Sequence, residues 1–355
     1  MIYLYCYNFY YKYKLDWVGN MSKYKKIILC IISILIIIPL SIYGYVEYKL
    51  KDVTVTSTYK SKIQEVDGIT NILLLGTDGR KNESSFRTDS MIILTIDNNN
   101  KNIKLTSLAR DTYVNIPGRD KGKLNTAYFW GKENMLFETI ENEFGIGLDK
   151  YVIVDFSSLM DIIYALDGVQ LNIKESEVNE VNKFIPECYD FCENPNKGEM
   201  KLIEKPGKQT VNGYQALSYS RIRKSDSAIF RDGRQRKVIY AIVKKYKNLS
   251  FTKYPELIDA IIPYVTTNLT SNEITSLAYT GHNILSGKSL KKALKEGAFP
   301  ITDEIHSKGG IYGNSGWVWL YDTNSTGVLR DFVYNDIDME DNEYLFNNDN
   351  VNLNY

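Results

Sequence analysis

Ile27 to Val46 is a run of 20 residues without a charge. At about 1.5 Å of helical rise per residue it matches the ~30 Å hydrocarbon core of a bilayer. It therefore divides the 355-residue chain into a short leader and a large remainder. Pro39 near its outer end is compatible with a transmembrane helix. Lys23, Lys25 and Lys26 precede the run, with Lys12 and Lys14 further upstream, whereas Glu47, Lys49, Lys51 and Asp52 behind it nearly cancel. That asymmetry predicts a single-pass protein of the cell membrane, with its N-terminus in the cytoplasm and about 300 residues outside. The competing reading is a cleaved signal peptide. The run is too long for a typical h-region, and no small-x-small cleavage pattern follows it. Met21 opens a segment that reads as an ordinary start, with residues 1–20 as an upstream extension.

The segments predicted on this basis are a cytoplasmic N-terminus (1–26), the membrane helix (27–46), a polar stalk (47–67), a folded domain (68–335) and an Asn/Asp-rich, loosely ordered tail (336–355). Within the domain, Ile69–Gly76, Ser90–Asp97, Ile103–Leu108, Tyr151–Phe156 and Val169–Ile173 are short β-branched runs, several nearly continuous in apolar character. Such runs suit strands covered on both faces. Helical patterns alternate with them. Leu136, Ile140 and Phe144 share a stripe, Ser157–Leu166 ends at Asp167-Gly168, and Val238, Ile242 and Tyr246 share another stripe in Arg234–Tyr246. Thr270 and Glu273 form a candidate capping box for a helix through Leu285. The expectation is one layered α-β-α domain around a central mixed sheet, with no second hydrophobic unit.

Three polar segments carry the chemistry. Gly76-Thr77-Asp78-Gly79-Arg80 and Arg87-Thr88-Asp89 flank the turn between the first two strands; Ala109-Arg110-Asp111 ends the third. The last segment runs from Ser220-Arg221-Ile222-Arg223 to Arg231, Arg234 and Gln235. Alone, Thr77-Asp78-Gly79 is ordinary turn chemistry and Arg110-Asp111 an ordinary surface ion pair. Together they are guanidinium groups that grip phosphate oxygens and carboxylates that hold a hard cation. Adjacent strands would bring Asp78 and Asp89 within reach of one Mg²⁺ or Mn²⁺. Arg221 and Arg223, two apart, would face one side of an extended segment. Arg231, Arg234 and Gln235 fall before or on the first turn of a helix. Cations there oppose the dipole and call for an anion, either bound phosphate or Asp226 and Asp232.

The remaining signals mostly exclude. Lys and Arg number 43 against 43 Asp and Glu, so a uniformly basic nucleic-acid surface has no support. His282 and His306 stand alone, and neither a phosphate-binding loop nor a dinucleotide fingerprint occurs. Cys188 and Cys192 lie four apart in what reads as a polar loop; they are either a loop-stapling disulfide or two free thiols.

Taken together these motifs resemble the LytR–CpsA–Psr (LCP) family of membrane-anchored envelope proteins, from about Asp67 to about Tyr334. The resemblance is carried by Leu75–Arg80, Arg87–Met91, Ser107–Thr112, Lys123-Leu124-Asn125-Thr126-Ala127-Tyr128 and Ser220–Gln235. It implies a phosphotransferase that joins a polyprenyl-diphosphate-linked glycopolymer, of teichoic acid or capsular type, to peptidoglycan. By that resemblance Asp78 and Asp89 hold Mg²⁺, and Arg87, Arg110, Arg221, Arg223, Arg231 and Gln235 contact the diphosphate. The chain departs from the family pattern at Ala228, where a second acid usually precedes Arg231; Asp226 remains. If the reaction needs a base, Asp89 or Asp111 is the candidate. A hydrolase that only cleaves polyprenyl diphosphate, and a non-catalytic polymer binder, are the alternatives.

Overall fold

The computed structural model describes residues 44–45, 47–48, 59–77, 88–222, 228–248, 261, 265–286, 288–346 and 351–355, with the side chains of 228–231 left out. The chain divides into two units, residues 1–51 and 52–355. Of the first, the described residues Gly44, Tyr45, Glu47 and Tyr48 are helical. The expected membrane span at 27–46 lies almost wholly outside the described residues. Among those described, no helix is long and apolar enough to cross a membrane.

The second unit is built on a six-stranded sheet. Its members are β1 (Ile69–Thr77), β2 (Thr88–Asp97), β3 (Asn102–Leu108), β6 (Tyr151–Asp155), β9 (Val265–Thr267) and β10 (Leu294–Phe299). They lie in the order β10-β3-β2-β1-β6-β9. The β1–β6 and β3–β10 pairs are parallel and the other three antiparallel, so the sheet is mixed, as expected. Side chains alternate across it. Leu73, Leu75, Met91 and Ile93 face a core closed by α1 (Leu124–Phe144) and α8 (Thr326–Tyr334). Ile92, Ile96, Ile103 and Leu105 face the other way, against α5 (Ala228–Lys247) and α6 (Ser271–Ser286). The near-continuous apolar runs follow from this double coverage.

The helices follow their local signals. Leu136, Ile140 and Phe144 are fully buried in α1, which is kinked at Gly131 and Lys132. Helix α2 (Phe156–Ala165) ends with both bonds of a Schellman motif: Gly168 N–H to Ile163 at 2.9 Å and Asp167 N–H to Tyr164 at 2.9 Å. Asp167 and Gly168 have φ of 55° and 81°, so the Asp-Gly pair supplies the left-handed turn. The reciprocal Thr270–Glu273 bonds cap α6 as expected.

Three expectations need correction. The strand at Val169–Ile173 (β7) forms, but outside the central sheet, paired with β8 (Gly207–Val211) and alternately exposed. The segment around Cys188 and Cys192 is not a loop: Glu175–Phe191 is helix α3 despite Pro186, because Val181, Ile185 and Cys188 bury one stripe. With α2, β7, β8 and α4 (Gly213–Ser220) it builds a second apolar cluster, tied to the sheet through Val154 and Phe156 and kept within the same unit. The tail is not loose where it is described. Asn352 N–H bonds the buried Asp322 carboxylate at 2.8 Å, Tyr344 Oη donates to the same carboxylate, and Leu353 bridges to Asp322.

Candidate active site

Strand register assembles the first half of the site. Strands β1, β3, β6 and β10 all finish at one end of the sheet, where antiparallel β2 begins. Ile92 pairs with Ser107, and continuing that register three residues brings Asp89 beside Arg110. On its other side β2 bulges. Gly76 pairs with Ser90 and Thr77 with Thr88, so Asp89 is the extra residue with no partner position on β1. A bulge re-aims a side chain at a strand end. Gly76 is needed there, since a Cβ at that position would come within 2.9 Å of Ser90 Cβ.

The result is an alternating chain of charges. Arg110 Nη1 contacts the Asp89 carboxylate, Arg110 Nε donates to Asp111 at 3.2 Å, and Lys123 Nζ reaches the other Asp111 oxygen at 2.8 Å. The Arg110 and Asp89 side chains are 25% and 20% exposed. Burial disfavours the Arg110 charge, but Asp89 and Asp111 outweigh it and push its pKa above the ordinary value. The backbone is fixed from three sides. Ala109 N–H bonds Phe299, Asn125 N–H at the start of α1 bonds the Arg110 carbonyl, and Trp319 N–H bonds the Asp111 carbonyl. Trp319 belongs to β12 (Trp317–Tyr321), which pairs with β11 (Ser307–Ile311).

Register also links the arginine segment to this end. Thr77 pairs with Asp155, the last residue of β6, whose carboxylate caps α2 through Ser158 N–H at 2.8 Å. The next residue, Phe156, and Phe184 on α3 each place a ring 5.3 Å from the Arg221 guanidinium. Arg221 also pairs with Glu187 at 3.1 Å and donates to Cys188 Sγ at 3.5 Å. Burial lowers its pKa, but these partners reverse the sign. Arg221 caps the end of α4 with near-helical backbone angles, not the extended segment expected. Segments more than 100 residues apart thus converge on one sheet end.

A search of the chain against protein families matches residues 41–321 to the LytR_cpsA_psr family. The chain is 34% identical over 277 residues to the polyisoprenyl-teichoic acid–peptidoglycan teichoic acid transferase TagU of Enterococcus faecalis, covering 73% of this chain and 84% of that protein. The chain belongs to the LytR–CpsA–Psr family. It is also 28% identical to TagT of Bacillus subtilis, a protein of the same named activity, over 81% of this chain and 84% of that one. Among solved structures, one described as TagT bound to LIIa-WTA superposes with a TM-score of 0.62 at 24% identity, covering 80% of this chain and 98% of that one. Another, described as a LytR-CPS2A-psr family protein with bound octaprenyl pyrophosphate lipid, gives 0.58 at 23% identity, covering 80% and 98%. These likenesses establish the LytR–CpsA–Psr fold.

Not every expected residue of this LytR–CpsA–Psr chain faces the site. Asp78, Arg80, Arg87 and Arg223 lie outside the described residues, as does the Arg231 side chain. Arg234 is 3% exposed, 3.5 Å from Glu177 and bonded to the Ile222 carbonyl at 3.0 Å. Its guanidinium ties α5 to α3 and to the end of α4; Gln235 beside it is half-buried. Cys188 and Cys192 are separate buried thiols, not a disulfide. Cys188 turns to Ser218 and Arg221, Cys192 to Tyr164 and the Asn194 backbone, and burial pushes both thiols up. Two residues escaped the sequence reading. Lys123 was visible as the first residue of its motif but not as the partner of Asp111. Arg236 lies two residues past Arg234 and donates to Ser107 Oγ on β3 at 2.6 Å. Among the described residues no group of three or more His, Cys, Asp or Glu is arranged for a metal.

Proposed function

We propose that this chain is a membrane-anchored phosphotransferase that attaches a polyprenyl-diphosphate-linked glycopolymer, of teichoic acid or capsular type, to peptidoglycan. The relatives TagU and TagT are named as polyisoprenyl-teichoic acid–peptidoglycan teichoic acid transferases. The observation that carries the reading to this chain is Arg110, a partly exposed guanidinium held between Asp89 and Asp111 where four strands end. An acceptor hydroxyl attacks the phosphorus nearest the glycopolymer, a P–O bond forms, and the bond to the polyprenyl phosphate breaks. Charge gathers on the non-bridging and leaving oxygens, and Arg110 and Arg221 are the guanidinium groups proposed to neutralise it. Each Asp111 oxygen meets a cation, Arg110 on one side and Lys123 on the other. Asp111 orients Arg110, and the hydroxyl proton passes to Asp89 or Asp111, the two carboxylates beside that guanidinium.

Asp89 is also a suitable oxygen donor for Mg²⁺ or Mn²⁺. Its carboxylate balances Arg110, and Asp78 is the second acid of the same motif set. These two acids are the residues that would hold the ion, which when bound would neutralise diphosphate oxygens. The apolar run at 27–46 is the proposed anchor, with the catalytic unit outside the cell.

The test is incubation of the purified protein with a short polyprenyl-diphosphate glycan, Mg²⁺ and peptidoglycan oligomers, followed by mass spectrometry. A glycan–phosphate–peptidoglycan adduct that disappears in Asp89→Ala and Arg110→Ala supports transfer. Released glycan phosphate without adduct, across several glycans, would replace it with hydrolysis.

A further inference from the structure

The β11–β12 hairpin has one closed face and one open face. Val318 and Leu320 are fully buried, whereas Trp317 and Trp319 alternate to the opposite side. Their cross-strand partners there are Ile311 and Gly309. Trp317 is 42% exposed and Ile311 79%. Gly309 makes room for the indole: a Cβ at that position would come within 2.6 Å of the Trp317 ring. The ring therefore lies across the neighbouring strand. It meets Trp319 at a centroid distance of 5.1 Å and an interplanar angle of 83°. A contiguous exposed apolar ledge on a strand pair marks a binding surface more than scattered single residues do.

The ledge is continuous with the reacting end. Trp319 N–H donates to the Asp111 carbonyl at 2.9 Å, and Thr112 bridges to Trp319. Its surroundings are polar. Ser315 Oγ donates to the Lys121 carbonyl at 3.4 Å, and Lys121 Nζ stands 5.7 Å from the Tyr113 ring.

We infer that this ledge docks the acceptor, a glycan strand of β-1,4-linked N-acetylhexosamines, beside the phosphoryl-transfer centre. This rests on the transferase reading above. A pyranose presents a face of C–H groups that stacks on an indole, while its hydroxyl and acetamide groups stay wet or meet a polar rim. Aromatic side chains serve such half-apolar ligands well. An anionic polymer would be drawn to a cationic surface instead, whereas the ledge is apolar, with Lys121 at its edge. A bilayer is the other partner that exposed indoles suit. Continuity with Asp111 favours the glycan, because the acceptor hydroxyl has to be delivered to that sheet end.

The test titrates the full chain with the β-1,4-linked N-acetylglucosamine tetramer, followed by tryptophan fluorescence and saturation-transfer NMR. The expected result is saturable binding that weakens about tenfold in Trp317→Ala, with partial recovery in Trp317→Tyr. Ile311→Lys, a surface change that leaves the core untouched, weakens it as well. Binding of the polyprenyl-diphosphate donor stays unchanged in all three, and in transfer assays KM for the acceptor rises while kcat is kept. Equal tetramer affinity in wild type and Trp317→Ala overturns the inference. So does absence of tetramer binding with Trp317-dependent binding to phosphatidylglycerol vesicles, which assigns the ledge to lipid. If the tetramer binds through Trp317 but no donor glycan is ever transferred, the ledge stands and the transferase reading falls.

Discussion

Strands β2 and β3 carry an acid–base pair at each end, and the two pairs have opposite characters. At the far end Lys104 Nζ meets Asp97 at 2.9 Å, Asp336 at 3.2 Å and the Val333 carbonyl at 3.1 Å. Asp97 also accepts from the backbone of Asn99 and Asn100 and from the Asn100 amide. Both side chains of that pair are fully buried. At the site end Asp89 and Arg110 keep a fifth to a quarter of their side-chain surface. A buried ion pair is tolerable only when the surrounding groups satisfy its remaining donors and acceptors. The far pair is satisfied by the fold itself. The site pair remains accessible, so a phosphate or a cation can exchange with its members.

The largest effect expected is Lys104→Met, which strands Asp97 in the interior. It should cost about 3–5 kcal/mol in denaturant unfolding, as removal of one partner of a buried pair does, without a specific loss of donor binding. Arg110→Ala should do the reverse. Transfer should fall by about 10²–10³-fold, the magnitude for losing one preorganised charge-stabilising donor, while unfolding stability changes by about 1 kcal/mol or less. If Arg110→Ala instead unfolds the protein, the contrast between the two ends is lost. Arg234→Met belongs with the first class. It leaves Glu177 buried and should destabilise by about 3 kcal/mol, with isothermal titration of the donor unchanged in the folded fraction.

Acid sharpens the same contrast. Burial alone would raise the Asp97 carboxyl, but Asn100 and Lys104 together hold it below its ordinary value, and Lys295, Asn102 and Lys104 do the same for Asp336. A depressed folded pKa contributes stability that is complete above the unfolded value of about 4 and is lost as pH falls through the folded one. The denaturation midpoint should therefore drop below about pH 4, and Asp97→Asn should flatten that acid limb. The smallest effect concerns Cys188 and Cys192. As two separate buried thiols they should leave the melting temperature unchanged on reduction and react slowly with a thiol reagent until the protein unfolds.

Much of the fold was legible because local rules and tertiary demands agree. Double coverage by helices makes β1 and β2 read as nearly continuous apolar runs, and Asp167-Gly168 and Thr270–Glu273 announce helix ends by their own chemistry. Helix α3 was missed because Pro186 and its charges mask a stripe of only three buried apolar residues, Val181, Ile185 and Cys188. The docked tail was missed because its anchor, buried Asp322, lies far upstream of the Asn352 and Tyr344 it holds.

The same division runs through the site. Residue type and strand-end position single out Asp89, Arg110 and Asp111 from sequence, because hard oxygen donors and guanidinium groups suit only a narrow range of chemistry. Sequence cannot distinguish an arginine open to a ligand from one spent on the interior. Arg110 and Arg234 look alike in the chain. Only the packed structure, by register at one and by burial against Glu177 at the other, gives them different roles, because a cation's availability depends on which neighbours the fold places around it.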